Sequence, residues 1–146
     1  MPNYQTTSVD PVFSCEYGNR VVFQGSAGVS AALVAADKVR MCKIPGGTLV
    51  DRVVISTGDM ETDTTPTLTD KIGYEPLDGS TGDDDAFCAS GATTRRGAAT
   101  TTYELFPPVL VAKDSWLTLT CVAGATAMSD AVTAYGKIEG ENKGKA

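Results

Sequence analysis

An all-β fold, a two-sheet antiparallel sandwich, is the class this 146-residue chain predicts, and three observations carry it. Threonine (19 residues) and valine (14) are abundant, and their branched Cβ atoms suit a pleated surface better than a helix. Apolar residues recur with a period of two in the clearest segments, the spacing at which a strand turns one face to a core. Gly- and Pro-bearing turn signals cut the sequence into about eight such segments. With 42% apolar residues, the chain is long enough for one domain with a real core.

The elements follow in order. Residues 1–19 contain Pro2, Pro11 and the isolated aromatics Tyr4, Phe13 and Tyr17 without sustained periodicity, which predicts an extended N-terminal arm. Three aromatics and Val12 are more than a disordered tail carries, so the arm is expected to be ordered on its own body or on a neighbour. Residues 20–139 form the β-sandwich domain. Arg20 to Gln24 reads as a short strand before Gly25 and Gly28, and Val29 to Ala36 as a further extended segment, although its alanines also suit a helix. Asp37 to Ser56 places two strand-like runs around Pro45-Gly46-Gly47, which reads as a β-hairpin with Pro45 at the second turn position and the positive φ at Gly46. The run from Leu49 to Ile55 is nearly continuous, as in a strand covered on both faces.

In Thr67 to Tyr74 the two-residue period aligns Leu68, Asp70, Ile72 and Tyr74, which puts a carboxylate where apolar groups belong. Asp83 to Ser90 is expected as one helical turn, its acids at the end that the helix dipole favours. Thr100 to Phe106 is a strand expected to end at Pro107-Pro108, because proline donates nothing to a ladder. Val109–Ala112 and Ser115–Val122 flank a two-residue turn, Lys113-Asp114. In the second of these, Leu117, Leu119 and Cys121 share one face, and Trp116, Thr118 and Thr120 the other. Ala131–Ile138 closes the domain with Val132, Ala134, Gly136 and Ile138 inward. Residues 140–146, polar and with two glycines, read as a flexible C-terminal tail. Strands in this number, joined by hairpins and a few longer crossings, suit a jelly roll.

Composition excludes several function classes. The chain has no histidine, which removes the commonest general base and metal ligand and every Ser-His or Cys-His pairing. Phosphate-loop, dinucleotide-binding and nucleophile-elbow motifs are absent. The sequence therefore predicts no catalytic residue, no cofactor and no metal. Net charge is −6, and nine of the eighteen acids fall between Asp59 and Asp85, a negative patch. The twelve bases are scattered, with Arg95-Arg96 the only adjacent pair, so no nucleic-acid partner is expected. Asp78, Asp83, Asp84 and Asp85 could gather oxygens for Ca²⁺, but they lack the alternating spacing and closing Glu of an EF-hand, and a solvated acidic loop is the plainer reading. Cys42 and Cys121 lie in apolar strand patterns and read as buried thiols. No basic-plus-apolar leader and no bilayer-length run is present, which predicts synthesis in a cytoplasm and no membrane partner.

Ala36 to Ser56, with its Ile44-Pro-Gly-Gly47 turn, Thr67 to Tyr74, ending in Ile72-Gly-Tyr74, and Ala112 to Gly124 together resemble the decoration, or cement, proteins of tailed-bacteriophage heads. The likeness spans roughly residues 30–139. It implies a small jelly-roll protein without catalytic residues that sits on the outside of the virion. There it would hold neighbouring major capsid protein subunits together, commonly as a homotrimer. Under that expectation Tyr4, Phe13 and Tyr17 would anchor to the capsid, and Arg95 and Arg96 would pair with its acids. Two rivals use the same sandwich: a receptor- or glycan-binding module of a phage tail or fibre, and a carboxylate-dependent polysaccharide hydrolase working through a residue such as Asp84.

Overall fold

The structure, a computed structural model, describes residues 3–9, 13–14, 20–89, 99–128 and 130–143. Ten strands run through them: β1 (Asn3–Val9), β2 (Phe13–Ser14), β3 (Arg20–Val29), β4 (Lys38–Ile44), β5 (Thr48–Thr57), β6 (Thr69–Pro76), β7 (Asp83–Cys88), β8 (Ala99–Val111), β9 (Ser115–Ala123) and β10 (Val132–Asn142). The described residues contain no helix.

The last eight strands pair as a long hairpin rolled up on itself. β3 lies antiparallel to β10, β4 to β9, β5 to β8 and β6 to β7. Rolling gives one sheet in the order β7-β6-β9-β4 and a second in the order β3-β10-β5-β8, the jelly-roll arrangement. β1 stitches the two together: Asn3–Gln5 runs parallel to β4, then Thr6–Val9 runs antiparallel to β3. β2 adds a short antiparallel pairing beside Val21 and Val22. The described parts of the arm are thus hydrogen-bonded to the body of their own chain.

Rolling also explains where hairpin reasoning failed. β4 and β5 do not pair, and Pro45-Gly46-Gly47 is an arch that carries the chain from one sheet to the other. The positive φ falls on Gly47 (85°), one residue later than expected. Lys113-Asp114 is a second such arch, between β8 and β9, and the two brace each other. The Gly46 N–H donates to Asp114 Oδ1 at 2.8 Å and the Gly47 N–H to the Val111 carbonyl at 2.8 Å. A turn signal marks a reversal, but the strand that receives the backbone donors is fixed by tertiary pairing.

Further expectations need correction. β3 continues through Gly25 to Val29, and residues 30–37 then form a loop rather than a strand. That loop plugs Leu33 into the core, turns through Ala36 at φ 73°, and closes as Asp37 Oδ2 accepts the Val34 N–H at 2.9 Å. Asp83–Cys88 is a strand, not a helical turn: β6 offers an edge, and pairing there outweighs the modest benefit of acids near a helix dipole. β8 does not stop at Pro107-Pro108. Register passes from Arg52↔Glu104 to Val50↔Val109, so the residues between bulge out, which an edge strand tolerates. Finally, β5 faces the core on one side only; Val50, Val53 and Ile55 are fully buried, while Leu49 and Val54 are half-buried on the outer face. β10 meanwhile runs through Asn142, into the segment that composition reads as a tail.

The core between the sheets joins Val21, Phe23, Val39, Met41, Ile44, Ile55, Ile72, Leu117, Leu119 and Ile138. Asp70 lies inside β6, fully buried and opposite Cys121 of β9. Cys42 and Cys121 are buried and Cys88 is half-buried. Burial pushes the Cys121 thiol up to about 11, with Asp37, Asp70 and Glu61 adding to the shift. In the native protein at mildly alkaline pH, iodoacetamide is expected to modify Cys88 well before Cys42 or Cys121, which become reactive only on unfolding. Peptide mass spectrometry reads this directly, and rapid native labelling of Cys121 would contradict the packing.

Candidate interaction surface

The carboxylate of greatest structural consequence, Glu61, lies in the loop between β5 and β6 and is 1% exposed. It accepts backbone N–H bonds from Thr67 (2.8 Å), Leu68 (2.6 Å) and Thr126 (2.8 Å). Burial alone would raise its pKa; the bonds from Thr126, Leu68 and Thr67 win, and the net shift is downward. This group holds loops together at one end of the sandwich.

The outer face of the first sheet is roofed by ion pairs. Glu75 receives Lys38 at 3.0 Å and Arg40 at 2.7 Å, two β4 side chains reaching over β9, while Lys43 sits 5.1 Å from the Trp116 ring centroid. Beneath this cover Thr118 and Thr120 are buried although they point away from the core. Hydrogen bonding from Arg40 is the main reason the Glu75 pKa is depressed, with burial opposing and Lys38 assisting. Next to it, the Asp83, Asp84 and Asp85 carboxylates lie within 4.8 Å of one another. Asp84 is turned to Lys71 at 2.7 Å, and its neighbour Asp85 is raised in pKa by its hydrogen bond with Asp83, then by burial and by the charges of Asp83 and Asp84. Asp78 stands apart, held well below the usual carboxylate range by Lys113 and Ser80.

The outer face of the second sheet is more open. One end carries a network in which Arg20 meets Asp51 and Glu139, Arg52 meets Glu104 at 2.8 Å, and Lys137 meets Glu139 at 2.7 Å. Lys137 is the main cause of the lowered Glu139 pKa. Beyond the network two rows cross three strands, Ser26-Tyr135-Ser56 and Gln24-Lys137-Val54. They bound a groove of about 360 Å³ floored at Gly25 and Gly136. At the edge of this sheet, in the β8 bulge, Phe106 is 99% exposed, with Pro107, Pro108 and Leu110 also exposed nearby.

Of the residues expected to contact a partner, Tyr4 is half-buried against the core and pairs with Val39 where β1 joins the sheets, so it serves the fold. Phe13 pairs with Val22 through its backbone, and its side chain lies outside the described residues, as do Tyr17, Arg95 and Arg96. Sequence reasoning did not single out the exposed Phe106, although two prolines inside a strand pattern signal an edge strand or a bulge there.

Fold and surfaces together define a small jelly-roll sandwich with one ion-roofed face and one open, grooved face. No protein-family model matches the chain, and no curated protein matches it. Among solved structures, it is similar to a chain in the capsid of Ralstonia phage GP4, with a TM-score of 0.72 and 16% identity over 99% of this chain and 100% of that one. A chain of the cyanophage Pam1 capsid asymmetric unit gives a TM-score of 0.65 and 19% identity over 92% and 94%. One in the acid-stable capsid of Helicobacter pylori bacteriophage KHP30 gives 0.53 and 13% over 81% and 85%. At these identities the likeness is one of fold.

Proposed function

We propose that this chain is a decoration protein of a phage head: it binds the outer surface of the assembled capsid and bridges neighbouring major capsid protein subunits as a homotrimer. The observation that carries the reading is the end-to-end match of its fold to a chain of a phage capsid, 99% of one against 100% of the other. The exposed apolar residues on β8 support it, since a protein that works by contact needs surface to bury. The mechanism is thermodynamic. A protein that binds the shell and not its dissociated subunits stabilises the shell by about 2.7 kcal/mol per site at a hundredfold excess over Kd, multiplied over many sites. No bond is made or broken.

Purified protein mixed at micromolar concentration with mature, undecorated heads is expected to sediment with them and to raise the temperature at which they release their contents. Failure to co-sediment, with the protein found in purified tails instead, would favour the receptor- or glycan-binding rival.

A further inference from the structure

We infer that the molecule self-associates head to tail, the Phe106 knob of one copy entering the Gln24/Ser26/Val54/Ser56/Tyr135/Lys137 groove of the next. Phe106 is 99% exposed at the tip of a bulge, where it touches almost nothing of its own chain. An aromatic ring in water forgoes the burial for which such side chains are used. The groove is made by the same chain, lies on the same sheet, and is left unfilled by Phe106 of its own copy. Its volume of about 360 Å³ is near the small end of the roughly 300–1,000 Å³ typical of ligand sites, the scale of one aromatic group with its neighbours.

Three features fit a second copy as the occupant. The β8 bulge and its two prolines break the ladder at the edge of the sheet, so the contact is a side chain entering a groove rather than a strand added to a sheet. Charge is complementary: Glu104, two residues before the knob, has a side chain 66% exposed, and Lys137 on the groove wall is 40% exposed. Glu104 now holds Arg52, whose side chain is 43% exposed, and a surface pair of that kind exchanges at little cost; Lys137 holds the mostly buried Glu139 and reaches the groove from above it. Knob and groove also occupy different places on the molecule, so the contact is heterologous, and it closes into a ring where the rotation between copies is a whole fraction of a turn. A ring of this kind is the geometry that the proposed homotrimer requires.

The test uses the full chain without heads, so its outcome is separate from that of head binding. Sedimentation velocity of the wild type at micromolar concentration is expected to show a closed oligomer. Phe106→Ala is expected to weaken association by at least about 30-fold, the loss typical of a central interface anchor. Phe106→Leu should fall between the two, and Ser26→Trp, which fills the groove, should abolish association. Circular dichroism confirms that each variant is folded. Because every contact needs one knob and one groove, mixing Phe106→Ala with Ser26→Trp is expected to restore a dimer but no ring. A monomeric wild type, a Phe106→Ala protein that associates normally, or a mixture that stays monomeric would each overturn the inference. So would loss of head binding in Phe106→Ala with self-association intact, which would assign the knob to the shell.

Discussion

Glu61→Ala is expected to lower the free energy of unfolding by about 4 kcal/mol, read as a reduced urea midpoint at unchanged slope. The substitution strands three backbone donors, of Thr67, Leu68 and Thr126, that converge on one buried carboxylate. Leaving a buried donor without a partner costs about 1–3 kcal/mol; Leu68 is buried and its N–H meets the upper part of that range, while water can partly serve the two exposed threonines. Glu61→Gln removes the charge but keeps one acceptor oxygen, which can serve the Thr67 and Leu68 N–H groups while the amide nitrogen faces Thr126, so it should recover part of the loss and not all of it. The pH dependence follows from the sign of the shift. A carboxyl whose folded pKa lies below its ordinary value of 4.5 contributes its full stabilisation above that value and loses it as pH falls through the folded pKa. Wild-type stability should therefore decline on acidification below about 4.5, and the part of that decline due to this site should vanish in Glu61→Gln. A Glu61→Ala protein as stable as the wild type would show that the loops do not depend on this hub.

Gly25→Ala is expected to cost about 3 kcal/mol, at the upper end for overpacking, although it adds one methyl group. Gly25 sits mid-strand in β3 with its open side toward the opposite sheet. A Cβ there would collide with the backbone carbonyl oxygen of Met41 and lie 3.0 Å from the Cys42 Cβ. A clash with backbone cannot be relieved by rotating a side chain, so the sheets must part near the place where β1 stitches them together. Gly28→Ala is the matched control: the same strand, with nothing within 4 Å of the new atom, and an expected effect below about 0.5 kcal/mol. Equal melting temperatures for the two variants would contradict the close approach of β3 and β4.

The contrast between the two glycines marks the limit of what the sequence discloses. Alternation in Ser115–Ala123 and Val132–Ile138 identifies strands and their inner faces, because the period of a pleat is local and burial enforces it. The jelly-roll class follows from the number of such strands. Their partners do not. Pro45-Gly46-Gly47 announces a reversal as a hairpin would, yet it leads into the other sheet, and the alternation that sets Leu117, Leu119 and Cys121 against Trp116, Thr118 and Thr120 is silent about the ion-pair roof that buries the second set. That roof depends on Lys38 and Arg40 meeting Glu75, 35 or more positions further along the sequence. The interaction surface was the least legible part. Of the arm aromatics, Tyr4 is partly buried against the core through β1, while Phe106, hidden in what reads as a strand end, is the most exposed of the large apolar side chains among the described residues.

Binding to the head can be seen in a cryo-electron microscopy map of mature heads incubated with the purified protein and compared with bare heads. Added density is expected on the outer surface, three sandwiches around each occupied local three-fold position, each touching at least two major capsid protein subunits. Heads whose exterior is unchanged at saturating protein, or density confined to the tail, would contradict it.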